Sequence, residues 1–105
     1  MQNKALLDSL DMVVRAMCLD YSRREKIILS GMAERRVDNE LRYINFKIFE
    51  ATSAVVGEGK AALFISEIGK SIGYANSDVE YMSEGLYKKY KSEVKHNIAK
   101  NLYLC

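Results

Sequence analysis

The 105-residue sequence has no proline and six glycines. With so few breakers helices can run long, and strand-like alternation of apolar and polar residues is scarce, so an all-α fold is expected. Cysteine is nearly absent. Cys18 and Cys105 cannot make a disulfide framework; they suit a reducing compartment, with Cys18 as a small buried hydrophobe. Histidine occurs once, at His96. A structural zinc site takes about four Cys or His ligands, so no metal site is expected. No apolar run approaches the length of a membrane span. Asp8 and Asp11 interrupt what a signal peptide would need as an unbroken apolar core. The expected setting is the cytoplasm, with no membrane partner.

Catalytic constellations are also missing from the sequence. There is no G-x-S-x-G elbow and no Cys/His pairing context that would activate a nucleophile. Glu34/Asp38 and Glu80/Glu84 have helical spacing, but a helical protein with fourteen acids produces such pairs without any chemistry. Gly69-Lys70-Ser71 resembles the end of a phosphate-binding loop. Phe64 stands where that loop needs a glycine, and the stretch reads as helix where the motif needs a preceding strand. No catalytic residues, no cofactor and no small-molecule substrate are expected.

Hydrophobic residues at 49% and charged residues at 29% give a globular balance rather than a disordered one. With no repeat, low-complexity tract or linker, residues 1–105 are expected to form a single helical domain, a bundle of four to five helices. The first helix is expected over Lys4 to Leu19, with Leu6, Leu10, Val13, Met17 and Tyr21 as its core stripe, thickened by Leu7 and Val14. Asp8, Asp11 and Arg15 should be solvated. Ser22 and Glu25 read as a capping box opening a second helix, which Gly31 stops. The third helix should start near Val37 or Asp38 and end before Gly57. Val37, Leu41, Ile44, Ile48, Ala51 and Val55 alternate steps of four and three along it, a seam of under three heptads, with Phe46 and Phe49 beside it. After Gly57-Glu58-Gly59, the fourth helix, Lys60 to Ser71, should bury Ala61, Ile65, Ile68 and Ile72. Tyr74 to Met82 reads as an exposed loop from which one or two of Val79, Tyr81 and Met82 tuck back onto the core.

The terminal helix, Ser83 to Leu102, carries the functional expectation. Tyr87, Tyr90, Val94, Ile98 and Leu102 share one face, and Ser83 can cap its start. From Glu84 onward five lysines stand against Glu84 and Glu93, a net of +3 within a chain of net +2. Lys88, Lys91 and Lys95 fall on an adjoining face, with Lys89 further round. This row, with Tyr87 as a hydroxyl donor, is a candidate contact for duplex DNA. Arg23 and Arg24 form a second candidate phosphate contact.

Asp20-Tyr21-Ser22-Arg23-Arg24-Glu25-Lys26, together with Tyr87-x-x-Tyr90-Lys91-x-x-Val94 and Ile98-Ala99-Lys100-x-Leu102, resembles small phage and prophage proteins of Gram-positive bacteria. The C-terminal stretch is similar to ArpU/RinA-type late-gene regulators. That resemblance implies a helix-turn-helix-like C-terminal part, akin to the DNA-reading region of sigma factors. Ser83, Tyr87, Tyr90, Lys91, Ile98, Ala99 and Leu102 would be its recognition-helix positions. It also implies a small DNA-binding transcription regulator. The apolar stripes of the first and third helices add the expectation of a homodimer, joined through the first helix or the heptad-like seam. The alternative is a helical interaction or phage assembly subunit that needs no DNA. Lysines held by acids of the same chain favour that alternative, and a continuous positive patch favours DNA.

Overall fold

Helices α1 (Lys4–Leu19), α2 (Tyr21–Ser30), α3 (Arg35–Val56), α4 (Glu58–Gly69) and α5 (Glu84–Asn101) follow one another, with a short 3-10 helix at Tyr74–Asn76. The computed structural model describes residues 4–104, with side chains from Asp8 onward. Leu6 and Leu7 of the expected first stripe, and Cys105, therefore lie outside the described side chains. Helix α3 packs against α4 and α5, and α1 lies across α4 and α5. Their shared core holds Val14, Cys18, Ile48, Ala51, Phe64, Ile65, Ile68, Tyr87, Val94 and Ile98.

The first stripe forms in part: Met17 and Tyr21 pack against the core as expected, but its centre shifts from Val13 to Val14 and Cys18. Val14 and Cys18 point inward, while Val13 is 43% exposed. The reason is a close crossing of α1 and α4. A Cβ on Gly69 would lie 2.6 Å from the backbone nitrogen of Leu19. Only glycine lets the two backbones meet there, and the crossing faces the Cys18 side of α1 into the core. The glycine of the phosphate-loop-like tripeptide is thus a packing residue. Asp11 and Arg15 are not merely solvated. Their side chains pair at 3.1 Å, and Arg15 Nη1 donates to Ser71 Oγ at 2.9 Å.

The capping box does not form. Asp20 alone separates α1 from α2, and the backbone runs nearly helically through it. Asp20 N donates to Ala16 O, and Arg24 N donates to Asp20 O. Ser22 therefore falls inside the first turn of α2, and Glu25 instead accepts from Asn45 at 2.9 Å. Gly31 does stop α2, in the left-handed conformation at φ 67°. Residues 31–34 then make the chain's short helix-to-helix turn. The C-terminal helix pair has no such turn: residues 70–83 separate α4 from α5, far more than the three or four of a helix-turn-helix. Helix α3 starts two residues earlier than expected. Its seam splits: Ile48 and Ala51 are buried, Ile44 and Val55 lie half-buried against the core, and Val37 is exposed. The inner half of the seam is used within the monomer and cannot join subunits. Gly57 alone links α3 to α4, so α4 runs two residues ahead of the expected span.

The strap between α4 and α5 packs Tyr74, Val79 and Met82 against the core. Tyr74 Oη donates to the Met82 carbonyl at 2.7 Å. Tyr81 is fully exposed, at 100%, with a left-handed backbone at φ 57°. Two predictions follow from this geometry. Gly69→Ala should destabilise the fold by about 1–3 kcal/mol through overpacking, read from urea unfolding. Met82→Ala should cost about 1–2 kcal/mol while Tyr81→Ala stays within about 0.5 kcal/mol, as burial dictates. Equal losses at the two strap positions would contradict the placement.

Candidate functional site

The apolar face of α5 forms as the periodicity predicts. Tyr87, Val94 and Ile98 are buried, Tyr90 and Leu102 lie half-buried, and Ser83 Oγ caps the helix by accepting from Leu86 N. The cationic side chains are more scattered than the sequence pattern implies. Lys88 is exposed and pairs with Glu84 at 3.0 Å, one turn back on the same helix. Lys89 is exposed and has no partner among the described residues. Lys91 turns inward and donates to the Ile72 carbonyl at 2.7 Å, with its ammonium 5.2 Å from the centre of the Tyr87 ring. Burial, and then the nearby Lys95 charge, lowers the Lys91 pKa from its ordinary value. Lys95 reaches across to α1 and pairs with Asp11 at 2.9 Å.

Tyr87 is no phosphate donor. The residue is 1% exposed, and its hydroxyl donates to Glu67 Oε1 at 2.7 Å. Burial and that bond push the phenol up to about 12. Arg24 is equally committed. Its Nε donates to Asn45 Oδ1 at 2.5 Å, and its Nη2 donates to the Met17 carbonyl. Burial pulls the guanidinium below its ordinary value. Arg23, its neighbour, is exposed and free of partners among the described residues. The seven candidate contacts therefore divide. Lys89 and Arg23 are exposed without a partner among the described residues, Lys88 is exposed but paired with Glu84, and Tyr87, Lys91, Lys95 and Arg24 turn inward to bond within the chain.

Two polar hubs went unnoticed in the sequence. Asn45 joins α3 to α2, accepting from Arg24 and donating to the Tyr21 carbonyl and to Glu25. Glu67 is 2% exposed, yet both its oxygens are filled. Oε1 accepts from Ser77 Oγ at 2.5 Å and from Tyr87, and Oε2 accepts from Asp78 N at 2.8 Å. Burial by itself would raise this carboxyl. The bonds from Ser77, Asp78 and Tyr87, with the charge of Lys91, outweigh it and hold the pKa below the ordinary value. A signal was available: Glu67 stands between Phe64 and Ile68 on the core-facing side of α4.

A cleft of about 390 Å³ lies where α1 and α2 meet α4, with Cys18, Leu19, Ala62 and Ile65 in its wall. Burial pushes the Cys18 thiol up to about 12, which removes it as a nucleophile at neutral pH. Among the described residues no group of three or more His, Cys, Asp or Glu is placed to hold a metal ion, and no helix is long and apolar enough to cross a membrane. Comparison with protein-family models, curated proteins and solved structures finds no match to this chain.

The Glu67 hub makes a signed prediction. Its folded pKa is depressed, so its contribution is complete above the unfolded carboxylate value and fades as pH falls through the lower folded one. Stability should therefore drop below about pH 4.5, with Glu67 a principal cause. Glu67→Gln should flatten that acid limb and cost on the order of 2–3 kcal/mol at pH 7. An unchanged acid limb in the variant would show that the hub carries no linkage.

Proposed function

We propose that this protein is a helical interaction subunit. Its docking surface would be the uncovered end formed by α2, the turn after it and the first half of α3. One observation carries the reading. Helix α3 is 22 residues long, but its fully buried residues, Asn45, Ile48, Ala51 and Thr52, all lie from its midpoint onward. The N-terminal stretch of α3 through Phe46, with α2 and the turn after it, leaves large apolar side chains in water: Ile27, Leu29, Met32, Val37, Tyr43 and Phe46, from 39% to 88% exposed. Single exposed hydrophobes are ordinary, but a cluster marks a contact surface. Nine of the twelve exposed large hydrophobics fall between Met12 and Phe46, on α1, α2, the turn after it and α3.

Duplex DNA is the second reading. Lys89 and Lys100 on α5 and Arg23 on α2 support it, because each is exposed without a side-chain partner among the described residues. Against it, Lys91 and Lys95 are already held by Ile72 and Asp11. A contact of two or three phosphates at most would give a shallow salt dependence, with a slope of about one unit per contact.

Dye and DNA titrations separate the two readings. The hydrophobic dye bis-ANS should brighten on the folded protein, and Leu29→Glu combined with Phe46→Glu should remove most of that signal without lowering the melting temperature. A 20-base-pair duplex at low salt should show no saturable binding. Saturable duplex binding that Lys88→Ala with Lys89→Ala abolishes, combined with no dye signal, would reverse the assignment.

A further inference from the structure

The charges bordering the outer half of the α3 seam are arranged in a way that suits a copy of the same helix. Val37, 43% exposed, and Leu41, partly covered, sit one turn apart on the seam and continue the line of Ile44, Ile48 and Ala51 outward. One edge of this strip carries Arg36 and Glu40, paired at 3.7 Å. The other carries Asp38 and Arg42, paired at 2.7 Å. Each edge thus holds one base and one acid, a turn apart. When two such helices lie antiparallel, each edge faces its own reverse. Asp38 then comes beside Arg42 of the copy, Arg42 beside its Asp38, and Arg36 and Glu40 match in the same way. A strip bordered by charge of one sign would repel itself, and this one does not.

We infer that the partner seated on this overhang is a second copy of the chain, packed antiparallel across a two-fold axis on Val37 and Leu41. The inference rests on the docking reading above and names its partner. Continuity supports it as well, because the covering element must extend a helical seam, and α3 of a second copy carries that seam with the same spacing. Two-fold contact uses each surface once on each copy, so assembly stops at the dimer. The strip spans less than two heptads, and the association should be correspondingly weak. Leu29, Tyr43 and Phe46 are not needed for it.

Sedimentation equilibrium on the full chain tests this, from about 1 µM to about 200 µM, where small interfaces dissociate. The wild type should pass from monomer to dimer within that range. Val37→Glu should stay monomeric with unchanged helical circular dichroism. Asp38→Arg and Arg42→Asp should each be monomeric alone. Mixed in equal amounts they should dimerise again, because one then presents only bases along that edge and the other only acids. A dimer indifferent to all three substitutions would place the contact elsewhere, and a mixture that stays monomeric would overturn the antiparallel pairing. A wild type that remains monomeric throughout overturns the inference outright. In that event the dye signal at Leu29 and Phe46 tells the two failures apart: with the signal present the surface serves a different protein, and with it absent the docking reading falls as well.

Discussion

A single buried carboxylate orients the C-terminal third of this molecule. Taking Glu67 out of water costs several kcal/mol unless its lone pairs are filled. The fillers come from two other segments, the strap through Ser77 and Asp78, and α5 through Tyr87. Docking α5 and ordering the strap are therefore one event. The consequence reaches the lysines. Tyr87, Lys91 and Lys95 are spaced four apart, so they lie on one flank of α5. Once the Tyr87 hydroxyl is locked inward, Lys91 and Lys95 must face the protein too, and they meet the Ile72 carbonyl and Asp11.

That coupling explains which parts of the sequence were legible. Periodicity located all five helices and identified the buried face of α5, because an apolar stripe has one physical use in a folded chain. It also separated Val79 and Met82 from the exposed part of the strap only loosely, since Tyr81 is equally apolar and ends up in water. A stripe of lysines has two uses, and nothing local decides between them. The deciding groups lie far off along the chain: Asp11 is 84 residues from Lys95 and the Ile72 carbonyl is 19 residues from Lys91. The same limit governs α1. Val13 and Val14 both fit its stripe, and the choice was made by the crossing at Gly69. The Ser22–Glu25 pattern had the right residues for a cap, but α1 and α2 are nearly continuous, leaving no free helix end to cap.

Arg24 shows the same principle in the opposite direction. An arginine beside another arginine reads as surface charge, and Arg23 is that. Arg24 follows the inward face of α2 with Tyr21 and Ile28, which brings its guanidinium to Asn45 and the Met17 carbonyl. A buried guanidinium needs such acceptors. The α2–α3 contact is thereby built around polar groups, Arg24, Asn45 and Glu25, as well as Ile28 and Phe49. Bonds of that kind fix the angle of a helix precisely where they are made, and they seal little apolar surface.

The uncovered end follows from element lengths. At about 1.5 Å per residue, α3 spans roughly 33 Å and α4 roughly 18 Å. Asn97 and Asn101 of α5 donate to the carbonyls of Ala51 and Lys47, so α5 runs antiparallel to α3 and reaches its end near the middle of that helix. Helix α4, joined through Gly57, turns back from the other end of α3. Toward its N-terminal end α3 is accompanied by the ten-residue α2. Exposure is not confined to this end, since Met12, Val13 and Leu19 of α1 also stay in water. On α3, Val37 is left 43% exposed, while Leu41, one turn nearer the core, is already partly covered. The seam spacing continued outward from Ile48 and Ala51 is the spacing a second helix laid along α3 would match, and that is the shape the proposed partner supplies.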